Sequence, residues 1–258
     1  MKPIVAPTDF SPNSLNSVNY AADLACMVGV HLNLLHVYAI PIPASDLPVA
    51  VSNAGDKETE VRNKIEQLKD KLVARSGGRL VVNVAVKCGN VLEEIISYCK
   101  RYKPYAVVMG AESTTSFERI FLDGKSLEAL KLVEWPLIIV PPEAEFKNIR
   151  KIGFACDFKE VLETVRLKEL SNIVEEFNAE LHVLHISEED PNQLNPGTVK
   201  ESENLHRMLY TFRPQYHILK GPGIEKKLSD FAVIDNLDLL IVIPKRHHLL
   251  GKIYGHRH

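Results

Sequence analysis

Short apolar runs alternate along the chain with longer segments in which apolar side chains recur at helical spacing. Residues 105–109 and 137–140 are apolar and rich in Val and Ile, which is typical of strands buried on both faces of a sheet. Residues 56–75 and 91–102 instead carry their apolar side chains on one helical face. Strands that alternate with helices predict an α/β fold with a parallel sheet and right-handed crossovers.

The first 140 residues contain five predicted strands. Ser11 and Pro12 mark the start of the first helix, since they suit the N-cap and the first helical position, and Gly29 marks its end. The strands are predicted over residues 3–6, 31–39, 80–86, 105–109 and 137–140, with a proline-rich loop over 41–55.

The pattern then starts again after a polar linker. Asp9 at the end of the first strand matches Asp157, and Leu-Leu-His36-Val matches Val-Leu-His185-Ile. Two tandem copies of one unit are therefore predicted, over residues 1–142 and 150–258. In the second copy, strands are predicted over residues 152–156, 180–187, 216–219 and 237–243, and helices over 160–177 and 224–234.

Composition restricts the classes of function. With 45% apolar residues, 25% charged residues and a net charge of −2, the chain has no basic field for nucleic acid. No signal-peptide pattern precedes the first strand, and no apolar run approaches the roughly 20 residues that span a bilayer. A soluble, cytoplasmic protein is predicted. Four cysteines without metal-site spacing are predicted to be buried free thiols: Cys26, Cys88, Cys99 and Cys156.

A candidate anion cradle follows the fourth predicted strand. Gly110 lies at the carboxyl end of that strand, where parallel sheets bind ligands. After a polar loop, the Asp123-Gly124 turn precedes a helix predicted from Lys125. The free N–H groups at the amino end of such a helix favour a phosphate.

This series of elements resembles the universal stress proteins. In that family the first strand ends in Asp, the second reads like Leu-His-Val, and the fourth ends in Gly. The resemblance extends over essentially the whole chain and implies two tandem Rossmann-like, flavodoxin-like units with parallel sheets in the order 3-2-1-4-5. It also implies a stress-response protein that binds an adenine nucleotide, which is ATP or else AMP or ADP. Mg²⁺ can be bound together with the nucleotide.

The same resemblance implies the site residues. The adenine and ribose contacts would fall on Pro7, Thr8, Asp9 and Val37. The phosphate contacts would fall on Gly110, Ser113, Gly124 and Ser126.

The phosphate loop departs from the family pattern of Gly, two residues, Gly, nine residues, Gly, then Ser or Thr. Ser113 and Asp123 stand where the pattern has glycines, and Gly124 stands at the Ser/Thr position, two residues before Ser126. A carboxylate at a helix amino terminus repels phosphate, so reduced affinity is expected. The alternative interpretation is that Asp123 is a simple N-cap.

The second copy departs further. Ile243 stands at the position of Gly110, and a β-branched residue neither takes positive φ cheaply nor admits a phosphate to the backbone. Ala155 and Cys156 replace Pro7 and Thr8, so this site is expected to be degenerate. The chain reaches His258 where a fourth helix should begin, so the last helix and strand of this copy are expected to be missing. Either the sequence is cut short or the protein leaves a sheet edge for a partner, and truncation is the favoured interpretation because an uncovered edge and core face are costly. Because the fifth strand pairs two units in the family, the resemblance implies intramolecular pairing or a homodimer.

Other chemistry finds less support in the sequence. His247, His248, His256 and His258 could form a zinc site, but a basic, solvated tail is the favoured interpretation. The histidines within the second strand of each copy are expected to be hydrogen-bonded core residues. No nucleophile or general base has a partner, so no enzyme is predicted, with weak ATP hydrolysis as the remaining alternative.

Two hypotheses follow. In the first, the leading copy binds an adenine nucleotide. In the second, the chain is a nucleotide-free dimerisation or interaction scaffold for an unknown protein partner, and the departures from the family pattern mark a discarded site.

Overall fold

The computed structural model describes residues 2–38, 53–111, 135–187, 196–221 and 223–243, with only the backbone for residues 53–57. The predicted loop over 41–55 therefore lies almost wholly outside the described residues, as does the helix predicted from Lys125. The chain divides into two compact units, Met1–Phe146 and Lys147–His258, called here the first and the second unit.

The first unit has a five-stranded parallel sheet in the order β3-β2-β1-β4-β5, which confirms the predicted fold class. The strands are β1 (Ile4–Pro7), β2 (Leu32–Tyr38), β3 (Val82–Cys88), β4 (Ala106–Gly110) and β5 (Leu137–Val140). The helices are α1 (Pro12–Val28), α2 (Asn53–Arg75) and α3 (Val91–Tyr102).

The limits of α1 follow the predicted signals. The Ser11 side chain accepts a hydrogen bond from the backbone N–H of Ser14 at 3.3 Å, so Ser11 is the N-cap. Gly29 ends the helix at φ 67°, a left-handed conformation that costs glycine little. The first crossover is therefore fixed by local sequence at both ends.

Strand β1 is the centre of the first sheet, and its residues Ile4, Val5 and Ala6 are fully buried. On the face covered by α3, the core includes one polar contact, in which the side-chain amide of Asn33 donates to the hydroxyl of Tyr98 at 3.2 Å. Burial raises the pKa of Tyr98 to about 12, so its hydroxyl stays protonated and available to this contact.

The described part of the second unit has a four-stranded parallel sheet in the order β8-β7-β6-β9. The strands are β6 (Lys151–Ala155), β7 (Glu180–Ser187), β8 (Gln215–Lys220) and β9 (Leu239–Val242). The helices are α4 (Val161–Thr164), α5 (Leu167–Phe177), α6 (Pro196–Leu209), which is followed by a 3-10 turn over Tyr210–Phe212, and α7 (Ile224–Ile234).

Three sequence predictions need correction. The single helix predicted over 160–177 is broken between α4 and α5, where Val165 is extended and the Thr164 hydroxyl donates to the carbonyl of Glu160 at 2.8 Å. Helix α6 was not predicted. Cys88 is exposed rather than buried, because it is the last residue of the edge strand β3. Of the other cysteines, Cys99 is buried, whereas Cys26 and Cys156 are half-buried.

No helix within the described ranges is long and apolar enough to span a membrane.

Gly110 brings β4 into backbone contact with the start of α1. A Cβ atom built on Gly110 would lie 2.6 Å from the carbonyl oxygen of Asn13 and 2.9 Å from its carbonyl carbon. Gly110 does not have a positive φ. Close packing of two backbones, rather than a left-handed conformation, is therefore the reason for a glycine at this position.

We predict that Gly110→Ala destabilises the first unit by about 1–3 kcal/mol, because the added methyl group displaces the amino end of α1. This loss of stability is measured by unfolding the protein in urea and monitoring peptides from the first unit. Asn13→Ala is the matched control and should stay within about 0.5 kcal/mol of wild type, since the clash involves a backbone carbonyl that every residue carries. Wild-type stability in Gly110→Ala would contradict the packing argument.

Candidate functional site

The candidate site of the first unit lies at the carboxyl ends of β1 and β4. Strand β1 pairs with β2 on one side and β4 on the other, so the strand order reverses here. Parallel sheets bind ligands in the crevice at such a switch point. The structure brings Pro7, Thr8, Asp9, Val37 and Gly110 to this edge of the sheet.

Both the backbone and the side chain of Thr8 are held in place. Its N–H donates to the carbonyl of Leu35 at 2.9 Å, which continues the ladder between β1 and β2 by one residue. Its hydroxyl oxygen accepts from the N–H of Phe10 at 3.0 Å and lies 3.0 Å from the hydroxyl of Ser14. Thr8 is buried, so it shapes the turn that leads from β1 to α1.

Asp9 is exposed at this turn. One of its carboxylate oxygens accepts from the N–H of Ser11 at 2.9 Å. Burial on its own raises the pKa of Asp9, but hydrogen bonds from the Ser11 and Ser14 side chains and from backbone N–H groups outweigh it and lower the pKa. Asp9 is therefore an ionised acceptor at neutral pH.

His36 on β2 holds the turn between β1 and α1 in place through a hydrogen bond. Its Nδ1 lies 2.7 Å from the carbonyl oxygen of Thr8, and because a carbonyl only accepts, Nδ1 carries the proton. The ring of Phe10 stacks on His36 with centroids 4.9 Å apart, and Phe10 takes a positive φ of 66° to reach it. The expectation that His36 is a hydrogen-bonded core residue is confirmed.

The remaining predicted residues divide into two groups. Pro7 ends β1 opposite Leu35, and Val37 lies two residues further along β2, where it is half-buried and packs against the core beneath α3. Ser113, Gly124 and Ser126, together with Asp123, lie outside the described residues.

The second unit repeats this turn. The N–H of Cys156 donates to the carbonyl of Leu184 at 3.0 Å, and Nδ1 of His185 lies 3.0 Å from the carbonyl oxygen of Cys156. Phe158 stacks on His185 at 4.3 Å and also has a positive φ, of 49°. Asp157 accepts from the N–H of Lys159 at 3.2 Å.

Phe10 and Phe158 were missed by sequence reasoning, although the signal was present. Each follows the aspartate that ends the first strand of its unit, so the repeated pair is Asp-Phe rather than Asp alone. A single phenylalanine after a strand carries little information. An alignment of the two copies on His36 and His185 shows that both have a phenylalanine at this position.

Strand register places Ile243 where the first unit has Gly110. Val107 pairs with Val5 and precedes Gly110 by three residues, and Leu240 pairs with Gly153 and precedes Ile243 by the same number. Ile243 lines a cavity of about 90 Å³ whose other walls are mostly apolar. These walls include Thr164, Val165, Leu184, Ile186, Ile224, Leu228 and Val242, with Cys156 and Asp157 as the main polar groups.

In the second unit the helix breaks at Thr164 and Val165, which face the same cavity as Ile243. In the first unit, α1 runs unbroken past Gly110. In the second unit, the residue at the position of Gly110 and the break in the helix therefore lie at one cavity.

Within the residues described in both units, no group of three or more His, Cys, Asp or Glu side chains is arranged to hold a metal ion.

Comparisons with known proteins agree with this architecture. The sequence pattern of the universal stress protein family matches residues 1–141. No curated protein sequence matches the chain.

Solved structures extend the similarity to both units at the level of fold. A universal stress protein from Archaeoglobus fulgidus DSM 4304 superposes with a TM-score of 0.62 at 19% identity, covering 91% of this chain and 82% of that one. A putative universal stress protein from Pseudomonas aeruginosa UCBPP-PA14 gives a TM-score of 0.52 at 14% identity, covering 96% of this chain and 85% of that one. Since the family pattern covers more than half of the sequence, the chain belongs to the universal stress protein family.

Proposed function

We propose that the first unit binds an adenine nucleotide, ATP or its AMP or ADP products, and that the protein acts in the stress response through ligand-dependent association rather than turnover. Membership of the family supports this proposal. The crevice at the switch point of the first sheet supports it independently, since it presents an ionised carboxylate beside an exposed turn.

Asp9 is the observation that carries the proposal. A carboxylate at the end of a strand of a nucleotide-binding sheet is well suited to accept hydrogen bonds from ribose hydroxyls. Asp9 is exposed, ionised and fixed by its bond from the N–H of Ser11. Thr8 already uses its N–H and its carbonyl within the protein. Thr8 is therefore proposed to position Asp9, and Pro7 and Val37 to flank the adenine.

The phosphates are proposed to lie toward Gly110, whose missing side chain keeps β4 and the start of α1 in contact. Ser113, Gly124 and Ser126 are proposed to supply hydroxyl and N–H donors, with Mg²⁺ bound through the nucleotide. The carboxylate of Asp123 weakens phosphate binding, so the expected affinity is modest.

Association is proposed to involve either the two units of one chain or two copies of the chain. A reducing cytoplasm is proposed as the location, since none of the four cysteines, all of which lie in the described ranges, forms a disulfide. The proposals of a pairing surface and of a further protein partner rest on the family resemblance alone.

ATP should stabilise the first unit against heat. The gain grows as RT ln(1 + [ATP]/Kd), which amounts to about 2.7 kcal/mol at 100 times Kd. Thermal unfolding is measured over a series of ATP concentrations with and without Mg²⁺, with GTP as the control for adenine recognition. An unfolding temperature that ignores ATP at every concentration would contradict nucleotide binding.

Asp9→Asn should weaken ATP binding about 10- to 100-fold, since it removes a charged acceptor worth roughly 1.5–3 kcal/mol. The amide oxygen of asparagine still accepts from the N–H of Ser11, so the turn is kept. Asp157→Asn is the matched control, because it makes the same change in the repeated turn of the second unit. Isothermal titration with ATP measures the affinity of both variants. Equal affinities would remove Asp9 from the site.

The nucleotide-free scaffold remains a second candidate, favoured by the apolar cavity and Ile243 of the second unit. It assigns no ligand to either crevice. The protein purified from cells distinguishes the two candidates. After denaturation, chromatography should detect released adenine nucleotide if the first unit binds nucleotide, and none if the chain is a nucleotide-free scaffold.

Slow ATP hydrolysis is a third outcome, and we expect none. No general base with a partner is found near Asp9 in the described part of the site, so nothing positions an attacking water. Phosphate release with ATP and Mg²⁺ should be no faster than in buffer. Release that is faster with wild type than with Asp9→Asn would show turnover at this crevice.

A further inference from the structure

Two histidines of the second unit form a buried pair that the proposed function does not use. His182 on β7 is 3% exposed at its side chain, and its Nδ1 lies 3.1 Å from Nε2 of His217 on β8. Their rings are nearly parallel, with 7° between planes and centroids 5.2 Å apart. This distance between the nitrogens requires one proton between them, with one ring donating and the other accepting.

Charged groups reach this pair from each neighbouring element. Oδ2 of Asp235, which follows α7, lies 3.3 Å from Nδ1 of His182, and Oε2 of Glu180 on β7 lies 3.7 Å from Nε2 of the same ring. Nζ of Lys151 on β6 lies 3.6 Å from Oδ2 of Asp235 and donates to the Asp235 carbonyl at 3.1 Å. The pair thus has two carboxylates and one ammonium as neighbours.

No neutral arrangement of this cluster satisfies every group. If His217 donates, the lone pair on Nδ1 of His182 faces the carboxylate of Asp235. If His182 donates from Nδ1, its Nε2 lone pair faces Glu180. Consistent with this, Nε2 of His182 and Oδ2 of Asp235 are buried without a hydrogen-bond partner among the described residues.

One added proton resolves the conflict. With one added proton, the pair can direct one N–H toward Asp235 and another toward Glu180 while an N–H still lies between the two rings. A second added proton has no such place, because it would put two imidazolium rings side by side with their nitrogens 3.1 Å apart.

The pair holds one end of α7 against the sheet. Asp235 is the C-cap of α7, and Phe231 of the same helix packs on the ring of His217 with centroids 4.7 Å apart. At the other end of α7, Ile224 and Leu228 line the apolar cavity beside Ile243. A change at the histidines is therefore connected to this cavity through one helix.

We propose that His182 and His217 form an acid-sensitive latch, which holds α7 while the pair carries at most one added proton and releases the carboxyl end of the helix when both rings are protonated. The latch would make the second unit respond to acidification independently of any nucleotide in the first unit.

The direction of the pH dependence follows from His217. Burial and the neighbouring His182 lower the pKa of His217, and Asp235 only partly offsets them. A pKa that is lower in the folded protein than in the unfolded chain means that the unfolded chain binds more protons as the pH falls below about 6.5. The stability contributed by neutral His217 is thus complete above that pH and is lost as the pH falls toward the folded value.

The test compares His217→Gln with wild type in the full chain. Glutamine can keep a hydrogen bond to His182 but takes no proton. The unfolding of the second unit in urea is measured at several pH values from about 7.5 to about 5, with peptides from that unit as the readout. On acidification, wild type should lose more stability than His217→Gln, by up to tenfold in the unfolding constant per pH unit for one proton. His206→Gln, an exposed histidine of α6, is the control and should keep the wild-type slope.

A second measurement needs no variant. Deuterium exchange at the C2 position of histidine, read by peptide mass spectrometry, should show that His217 takes up its proton at a lower pH than a free histidine peptide. Backbone exchange in α7, corrected for the intrinsic effect of pH, should rise on acidification more than exchange in α5.

Three results would overturn the latch: equal pH slopes in wild type and His217→Gln, α7 protection that does not change with pH, or stabilisation by Zn²⁺ at neutral pH that His217→Gln abolishes. The last result would assign the cluster to a metal instead. If His217→Gln fails to fold, the two exchange measurements on wild type decide alone.

Discussion

The hydrogen bond from a histidine on the second strand to the carbonyl that follows the first strand underlies the crevice in both units. A buried backbone carbonyl at the end of a strand needs a partner, and His36 supplies it for Thr8 as His185 does for Cys156. The stacked phenylalanine then covers the imidazole and forces the chain through a left-handed residue. The following helix and the aspartate side chain take their positions from this turn.

The two units show how one turn serves two different crevices. In the first unit Gly110 allows α1 to begin against β4, near the turn that carries the Asp9 carboxylate. In the second unit Ile243 stands at the position of Gly110, the helix breaks at Val165, and mostly apolar side chains line a small cavity. The turn is thus kept in both units, whereas the residue at the end of the fourth strand differs.

Local signals in the sequence were sufficient for most of the fold. Strands such as β5 could be predicted directly from apolar runs, and α1 begins and ends at its predicted caps, because these features depend on neighbouring residues alone. The break after Thr164 could not be predicted in this way, since a β-branched pair without Pro or Gly is compatible with a continuous helix. Thr164 and Val165 line the same cavity as Ile243, and neighbouring residues do not reveal this proximity because Ile243 is distant in sequence.

The candidate site was predictable to the same extent. The position of Thr8 and Asp9 at the turn could be predicted because they directly follow one strand, whereas the role of Gly110 depends on a backbone contact with Asn13 of α1. The pairing of His182 with His217, 35 residues apart, depends on the register between β7 and β8. No periodicity reports such a contact. Sequence reasoning is therefore strongest for elements and weakest for what those elements bring together.

The central claim is that only the first unit keeps a crevice open to an adenine nucleotide. A titration of ¹⁵N-labelled protein with ATP, followed by backbone amide chemical shifts, tests it most directly. The account predicts shifts at residues 8–11, at Val37 and at Gly110, with the amides of residues 156–159 unchanged at the same ATP concentration. Equal shifts in both turns, or shifts in the second unit alone, would contradict it.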